Sequence, residues 1–220
     1  MKMKPELLIF DLDDTLYPPE SGLWHAIGER INQYIQLRLG FSLSEAIALR
    51  DQMYLQYGTT LRGLQLHYGI PPQDYLAFVH DVPLSHHLKP DPHLRKILTS
   101  LPFRKIIFTN GDRAHANRVL KTLQVDGCFD GIIDILDIAP YCKPMPESFQ
   151  LMLEKEAVRD VSRCVLFEDS HRNLVTARAM GMFTVQVGKN GAASEAHLQI
   201  RTIHEVASLF TPAFFISNGR

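Results

Sequence analysis

Leu7-Leu8-Ile9-Phe10-Asp11-Leu12-Asp13-Asp14-Thr15-Leu16 decides the fold. Four apolar residues in a row, with no alternation, suit a central strand of a parallel sheet buried on both faces. The run then breaks into the carboxylates Asp11, Asp13 and Asp14. Such a cluster is costly unless positive charge lies among it. A divalent cation with oxygen ligands is the most direct source of that charge. The carboxyl ends of parallel strands are also where ligands bind in open α/β sheets. Asp11 and Asp13 are therefore expected at the mouth of a metal-dependent site. Taken alone, Asp13-Asp14-Thr15 reads more simply as an acidic turn with a helix cap. The residues downstream decide between the two readings.

The chain has 220 residues, enough for one large domain or a core with a smaller inserted one. Its net charge of −1 gives no electrostatic reason to expect nucleic acid or an anionic membrane as partner. No apolar stretch reaches membrane-spanning length, and the chain enters its first strand too early for a signal peptide. Cys128, Cys142 and Cys164 are odd in number and widely spaced. They read as reduced, buried thiols of a cytoplasmic protein rather than a disulfide or zinc framework. Oligomeric state is not readable from the sequence.

After a turn-rich stretch, Tyr17 to Gly22, the pattern becomes helical. Ser21 is a candidate N-cap. Leu23, Trp24, Ile27, Ile31, Tyr34, Ile35 and Leu39 follow three-to-four spacing and Gly40 suits the stop. A second helix is expected from Ser42 or Ser44, a third after Thr59-Thr60, and a fourth from Pro71-Pro72. From Lys89 the chain alternates strand with helix. Strands are expected at Lys105–Thr109, Gly131–Leu136, Cys164–Phe167, Phe183–Val187 and Ile200–Ile203, with helices between them and a last helix at His204–Phe210. Thr211–Arg220 lacks a pattern and is expected to fray. The alternation implies an α/β fold, a doubly wound parallel sheet. The helical block then becomes an insert: residues 1–18 and 88–220 form the core, and residues 19–87 a small bundle grafted after strand one.

Four strand ends present polar residues: Asp11, Asp13 and Thr15; Thr109-Asn110-Gly111; Lys143 in the loop after strand three; and Glu168-Asp169-Ser170. Singly each has a bland reading, as a turn, a solvated lysine or a helix cap. In this order at successive strand ends they are jointly specific. The set suits phosphoryl transfer to water. A carboxylate nucleophile takes the phosphoryl group, splitting one hard step into two. A second acid protonates the leaving oxygen and then deprotonates water. A metal, a hydroxyl and a lysine gather the phosphoryl charge.

On these residues the chain resembles the haloacid dehalogenase superfamily of aspartate-nucleophile phosphatases. The four motifs are Asp11-Leu12-Asp13-Asp14-Thr15, Thr109-Asn110, Lys143 and Glu168-Asp169. The resemblance implies Asp11 as nucleophile and magnesium ligand. It implies Asp13 as general acid/base, holding Mg2+ through its backbone carbonyl. Thr109, Asn110 and Lys143 would bind phosphate, Asp169 would ligate the metal directly, and Glu168 would reach it through water. A helical insert here corresponds to the superfamily's C1-type cap. Because two linkers join it to the core, residues 14–22 and about 85–90 are expected to be its hinges.

Phe10 to Tyr17, the segment Tyr57-Gly58-Thr59-Thr60-Leu61-Arg62-Gly63-Leu64, and Leu88-Lys89-Pro90-Asp91 are similar to the pyrimidine 5′-nucleotidase branch. That branch implies UMP and CMP as substrates, although some members act on nicotinamide mononucleotide or lysophosphatidate. Thr59, Thr60 and Arg62 form a polar cluster at the start of an apolar helix, and are expected to face the site. The competing reading makes a threonine the helix cap and solvates Arg62. Trp24 and His25, near the hinge, are candidates for the pocket wall, although Trp24 fits the bundle core better.

Four other functions share parts of this pattern. A dehalogenase needs neither Asp13 nor the Glu168-Asp169 pair. A phosphomutase would isomerise a sugar phosphate rather than release phosphate. A receiver domain places its acidic pair and acceptor aspartate on different strands and has no helical insert. A silent binding protein has no need of the intact catalytic residue types.

Overall fold

The computed structural model describes residues 5–188 and 196–210; the expectation for Thr211–Arg220 lies outside them. Six parallel strands form one sheet: β1 (Leu7–Phe10), β2 (Arg104–Phe108), β3 (Gly131–Ile133), β4 (Cys164–Glu168), β5 (Phe183–Val187) and β6 (Leu198–Ile200), in the order β3-β2-β1-β4-β5-β6. β1 is central. Leu8 and Phe10 join the core on one face of the sheet, Leu7 and Ile9 the core on the other, and all four are fully buried. This is why the opening run shows no polar alternation. Phe10 stacks on Phe167 of β4 with ring centroids 4.6 Å apart. Strand order reverses between β1 and β4, so the crevice at their carboxyl ends is the expected ligand site.

Between β1 and β2 stand α1 (Leu23–Leu39), α2 (Leu43–Tyr57), α3 (Thr60–Tyr68) and α4 (Pro72–Val79). The capping residues explain these bounds. Ser42 and Glu45 form a reciprocal capping box at α2, Thr59 caps α3, and Gly40 and Gly69 end α1 and α3 in the left-handed region. Gly22 stands at the start of α1 at φ 72°, with the Ser21 hydroxyl accepting from the Leu23 N–H. The remaining helices are α5 (Pro92–Ser100), α6 (Arg113–Leu123), α7 (Pro146–Lys155), α8 (His171–Ala179) and α9 (Val206–Leu209). Among the described residues no helix is long and apolar enough to cross a membrane. The three cysteines are free and buried.

β2 differs from its expected bounds by one residue at each end and β4 by one residue at one end; two other strands and the last helix differ more. β3 stops at Ile133 because Asp134 turns the chain: its carboxylate accepts from the N–H groups of Leu136, Asp137 and Arg113. β6 ends at Ile200 instead of starting there, and the expected terminal helix is a 3-10 turn (Ile203–Glu205) followed by the four-residue α9. Trp24 is not in the bundle core; it is 48% exposed.

The helical insert is held to the sheet domain at several points. Arg172 of α8 donates to the carbonyls of Tyr54 and Leu55 at the end of α2, at 3.1 and 3.2 Å. Arg118 of α6 donates to the carbonyls of His80 and Val82 in the returning linker, at 2.7 and 2.6 Å. Within the insert, α2 and α3 approach closely at Gly63, where an added Cβ would lie 2.7 Å from Met53 Cβ. Gly63→Ala is therefore expected to destabilise the protein by about 1–3 kcal/mol, measured by urea unfolding. In a Met53→Gly background, which removes that Cβ, the same change should cost clearly less; an equal cost would contradict the close packing.

Candidate active site

Lys143 is the organising cation. Its ammonium, 1% exposed, donates to Asp11 Oδ1 at 2.6 Å, Glu168 Oε2 at 2.8 Å and the Phe108 carbonyl at 2.8 Å. All three of its protons are thus engaged, by the ends of β1, β4 and β2 in turn. The two carboxylates push its pKa up although burial alone would lower it. The loop holding it is fixed by Asn110, whose side-chain oxygen accepts from the Lys143 N–H and whose amide donates to the Lys143 carbonyl, both at 2.9 Å. The Asn110 side chain therefore acts on Lys143 rather than reaching a phosphate itself. A solvated lysine is ruled out at this position.

Asp11, Glu168 and Asp169 converge, with ligand oxygens all within 4.8 Å of one another. Burial, then Glu168, pushes the Asp11 pKa up to about 7. Burial, then Asp11, pushes that of Asp169 up to about 6. Burial also raises that of Glu168. Three carboxylates, Asp11 and Glu168 buried and Asp169 half-buried, face one lysine, so the donor set is hard, oxygen-only and short of positive charge. That composition fits a magnesium-like cation. Thr15 bridges the set, donating to Asp11 Oδ2 at 3.1 Å and Asp169 Oδ1 at 3.3 Å. Glu168 is further held by the Asn173 amide at 2.9 Å and the Ser170 N–H at 3.1 Å.

Asp13 lies apart from that set. Its Oδ1 accepts from the Tyr17 hydroxyl and from His115 Nε2, the latter at 2.8 Å. Burial would raise its pKa, but His115, then Tyr17, bring it below the ordinary value. Thr109 is 1% exposed; its hydroxyl oxygen accepts from the Gly111 N–H at 2.9 Å, which leaves the hydroxyl proton to donate elsewhere.

A cleft between insert and sheet opens onto these residues. Asp11, Asp13, Thr109, Asn110, Lys143 and Asp169 line its floor. Trp24, Ile27, Ile31, Tyr54 and Leu61 form an apolar and aromatic wall. Thr59 and Thr60 reach the cleft and Arg62 does not. The Thr59 hydroxyl accepts from the Arg62 N–H at 3.1 Å, and the Thr60 hydroxyl donates to the Arg50 carbonyl at 3.2 Å. The helix-cap reading thus holds for Thr59, and Arg62 is half-buried outside the cleft. His25 lies outside it too, on a neighbouring groove between α1 and α2. Gly58, at φ 89°, closes one end: a Cβ there would lie 2.9 Å from the Lys143 carbonyl.

Sequence reading missed Tyr17, His115, His80 and Asn173. Tyr17 carried a signal, four residues past Asp13 in a turn. The other three reach the site from helices or a linker, and nothing in their local sequence marks them.

Comparison with known proteins agrees with this geometry. Residues 5–181 match the model of the haloacid dehalogenase-like hydrolases. Phosphate metabolism protein 8 of Saccharomyces cerevisiae is 29% identical over 191 residues, 80% of this chain; the chain spans 60% of that protein's length. CbbY from Rhodobacter sphaeroides, solved in complex with phosphate, superposes with a TM-score of 0.66 at 19% identity, over 96% of this chain and 99% of that one. The HAD hydrolase YfnB from Bacillus subtilis, solved bound to magnesium, gives 0.60 at 17% identity, over 94% and 98%. At such identities the structures show a shared fold, while the family model covers β1 through α8. The chain belongs to the haloacid dehalogenase-like hydrolases.

Proposed function

We propose that this protein is a magnesium-dependent phosphatase that hydrolyses small phosphate monoesters through an aspartyl phosphate on Asp11. The observation that carries the reading is Lys143, buried against Asp11 and Glu168 at the strand ends. An aspartate meant to attack a dianionic phosphate must be ionised and aimed, and Lys143 favours both. Thr109 and Lys143 would hold the phosphoryl oxygens, with Asn110 fixing the Lys143 loop. Asp13 would protonate the leaving oxygen and later take a proton from water. Asp11 and Asp169 would hold magnesium with the Asp13 carbonyl, and Glu168 stands beside them. When bound, the metal supplies charge neutralisation between nucleophile and phosphate. A dehalogenase would leave Asp13 and the Glu168-Asp169 pair without a task.

For the substrate, we infer a pyrimidine nucleoside 5′-monophosphate such as UMP or CMP. Support comes from the sequence resemblance and from the wall above the phosphoryl site. Trp24 and Tyr54 both present aromatic surface to the cleft, which suits stacking of a base. Arg172 lies 5.3 Å over the Tyr54 ring and ties its backbone to the sheet domain, so that ring is held in place. The insert would then act as a cap that excludes bulk water. Cytoplasmic residence remains part of this proposal.

Phosphate release should be measured with magnesium on UMP, CMP, AMP, GMP, nicotinamide mononucleotide, lysophosphatidate and small sugar phosphates. UMP and CMP should lead, and Asp11→Asn should abolish release. A preference for sugar phosphates or lysophosphatidate would keep the chemistry and overturn the substrate; release unaffected by Asp11→Asn would overturn both. Isomerised sugar phosphate in place of free phosphate would mark a mutase.

Metal binding should depend on pH. The pKa of Asp11 is raised from 3.8 to about 7, so in the metal-free protein its contribution to stability is full below about pH 4 and lost as pH rises through about 7. Asp169, raised to about 6, acts in the same direction. Magnesium competes with those protons. It should therefore raise Tm more at about pH 8 than at about pH 5. An equal shift at both would remove the metal from these carboxylates. Comparing with and without metal at each pH cancels the opposite trend from Asp13, whose pKa is lowered.

A further inference from the structure

Two donors outside the four catalytic motifs converge on one oxygen of Asp13. Tyr17 Oη, from the turn after β1, and His115 Nε2, from the first turn of α6, both bond to Asp13 Oδ1. Neither has freedom to do otherwise. Tyr17 is 4% exposed, and the His115 side chain is completely buried. His115 Nδ1 is also buried and has no hydrogen-bond partner among the described residues. A bare ring nitrogen is tolerated there more readily than an unsatisfied N–H. Nε2 is thus the ring nitrogen that presents a hydrogen to Asp13.

The ring is also held from its face and from its backbone. His80, just past α4, stacks on it at 4.2 Å with planes 14° apart. Asp112 pairs with His80 Nδ1 at 2.8 Å and caps α6 by accepting from the His115 N–H at 3.2 Å. No described hydrogen bond occupies Asp13 Oδ2, and Asp13 lines the cleft.

We propose that Tyr17 and His115 are positioning residues that hold Asp13 by Oδ1, so that Oδ2 is the atom that carries the proton during turnover. The inference rests on the phosphatase reading above. In the first half-reaction Asp11 bonds to phosphorus, the bond from phosphorus to the leaving oxygen breaks, and the proton on Oδ2 passes to that oxygen. In the second, a water oxygen bonds to phosphorus and gives a proton back to Oδ2. The bond from phosphorus to Asp11 then breaks and inorganic phosphate departs. A clamped Oδ1 leaves the carboxyl one orientation for both transfers, and orientation is a large part of what such a group contributes.

The test is kcat/KM across aryl phosphates, from p-nitrophenyl to p-methoxyphenyl phosphate, with magnesium. The most basic leaving groups need the proton most. In the wild type kcat/KM should change little across the series, and Asp13→Asn should make it fall steeply towards p-methoxyphenyl phosphate. Tyr17→Phe and His115→Leu should each lose about 10- to 100-fold on p-methoxyphenyl phosphate and less than about 3-fold on p-nitrophenyl phosphate. His115→Gln, which keeps a side-chain N–H, should recover part of the loss. Equal losses on every ester, or none, in folded variants would overturn the positioning role. Tyr17→Phe removes a single oxygen and decides the matter alone if His115→Leu does not fold. A wild type inactive on all the esters, or an Asp13→Asn profile as flat as wild type, would instead overturn the phosphatase reading.

Discussion

One buried ammonium, that of Lys143, joins the ends of three adjacent strands. Removing charge from water is expensive, and a lone lysine or carboxylate at this depth would not remain ionised. Here the charges are mutually compensated. Lys143 meets Asp11, Glu168 and the Phe108 carbonyl at 2.6 to 2.8 Å, and Asn110 fixes the loop that delivers it. The sheet order makes this possible. β1 lies between β2 and β4, so a lysine brought to the end of β1 can touch the ends of both neighbours as well. The compensation is incomplete, since Asp169 adds a third carboxylate. That remaining negative charge is what would draw a cation to the site.

The helical insert supplies what the sheet end lacks. β1 and its neighbours present polar groups to an open crevice, while α1, α2 and α3 bring apolar and aromatic side chains above it. The two parts are coupled through specific contacts rather than through general proximity. Gly58 lets the turn between α2 and α3 approach the Lys143 carbonyl. Arg172 fixes the end of α2, and Arg118 fixes the returning linker on α6. The same helix α6 carries His115, so the segment that anchors the insert also carries a donor to Asp13.

Much of this was legible in the sequence because the signals are local. A doubly apolar strand followed by carboxylates, Gly and Ser/Thr at helix ends, and polar residues at successive strand ends all follow from backbone geometry. Asp11, Thr109, Lys143, Glu168 and Asp169 were found in this way, and the structure brings them together. The differences arise where tertiary contacts decide. Asp134 ends β3 early through a side-chain turn that looks like any strand continuation in sequence. Trp24 follows helical spacing with the buried face of α1, yet it stands at the edge where the bundle opens onto the cleft. Arg62, the third residue of α3, does not line the cleft that Thr59 and Thr60 reach, a matter of helix rotation that a short polar cluster does not fix. His80 and His115 are far apart in sequence, and only the packing of the linker on α6 stacks them.

The central claim is that Asp11, aimed by Lys143, whose charge favours its ionised form, accepts the phosphoryl group. The most direct measurement is rapid acid quench during turnover of a substrate carrying radiolabelled phosphorus, followed by proteolysis and mapping of the label. The account predicts label on the peptide containing Asp11, formed and lost at rates that sustain turnover. Phosphate release at full rate with no label on that peptide, or with label on another residue, would contradict it.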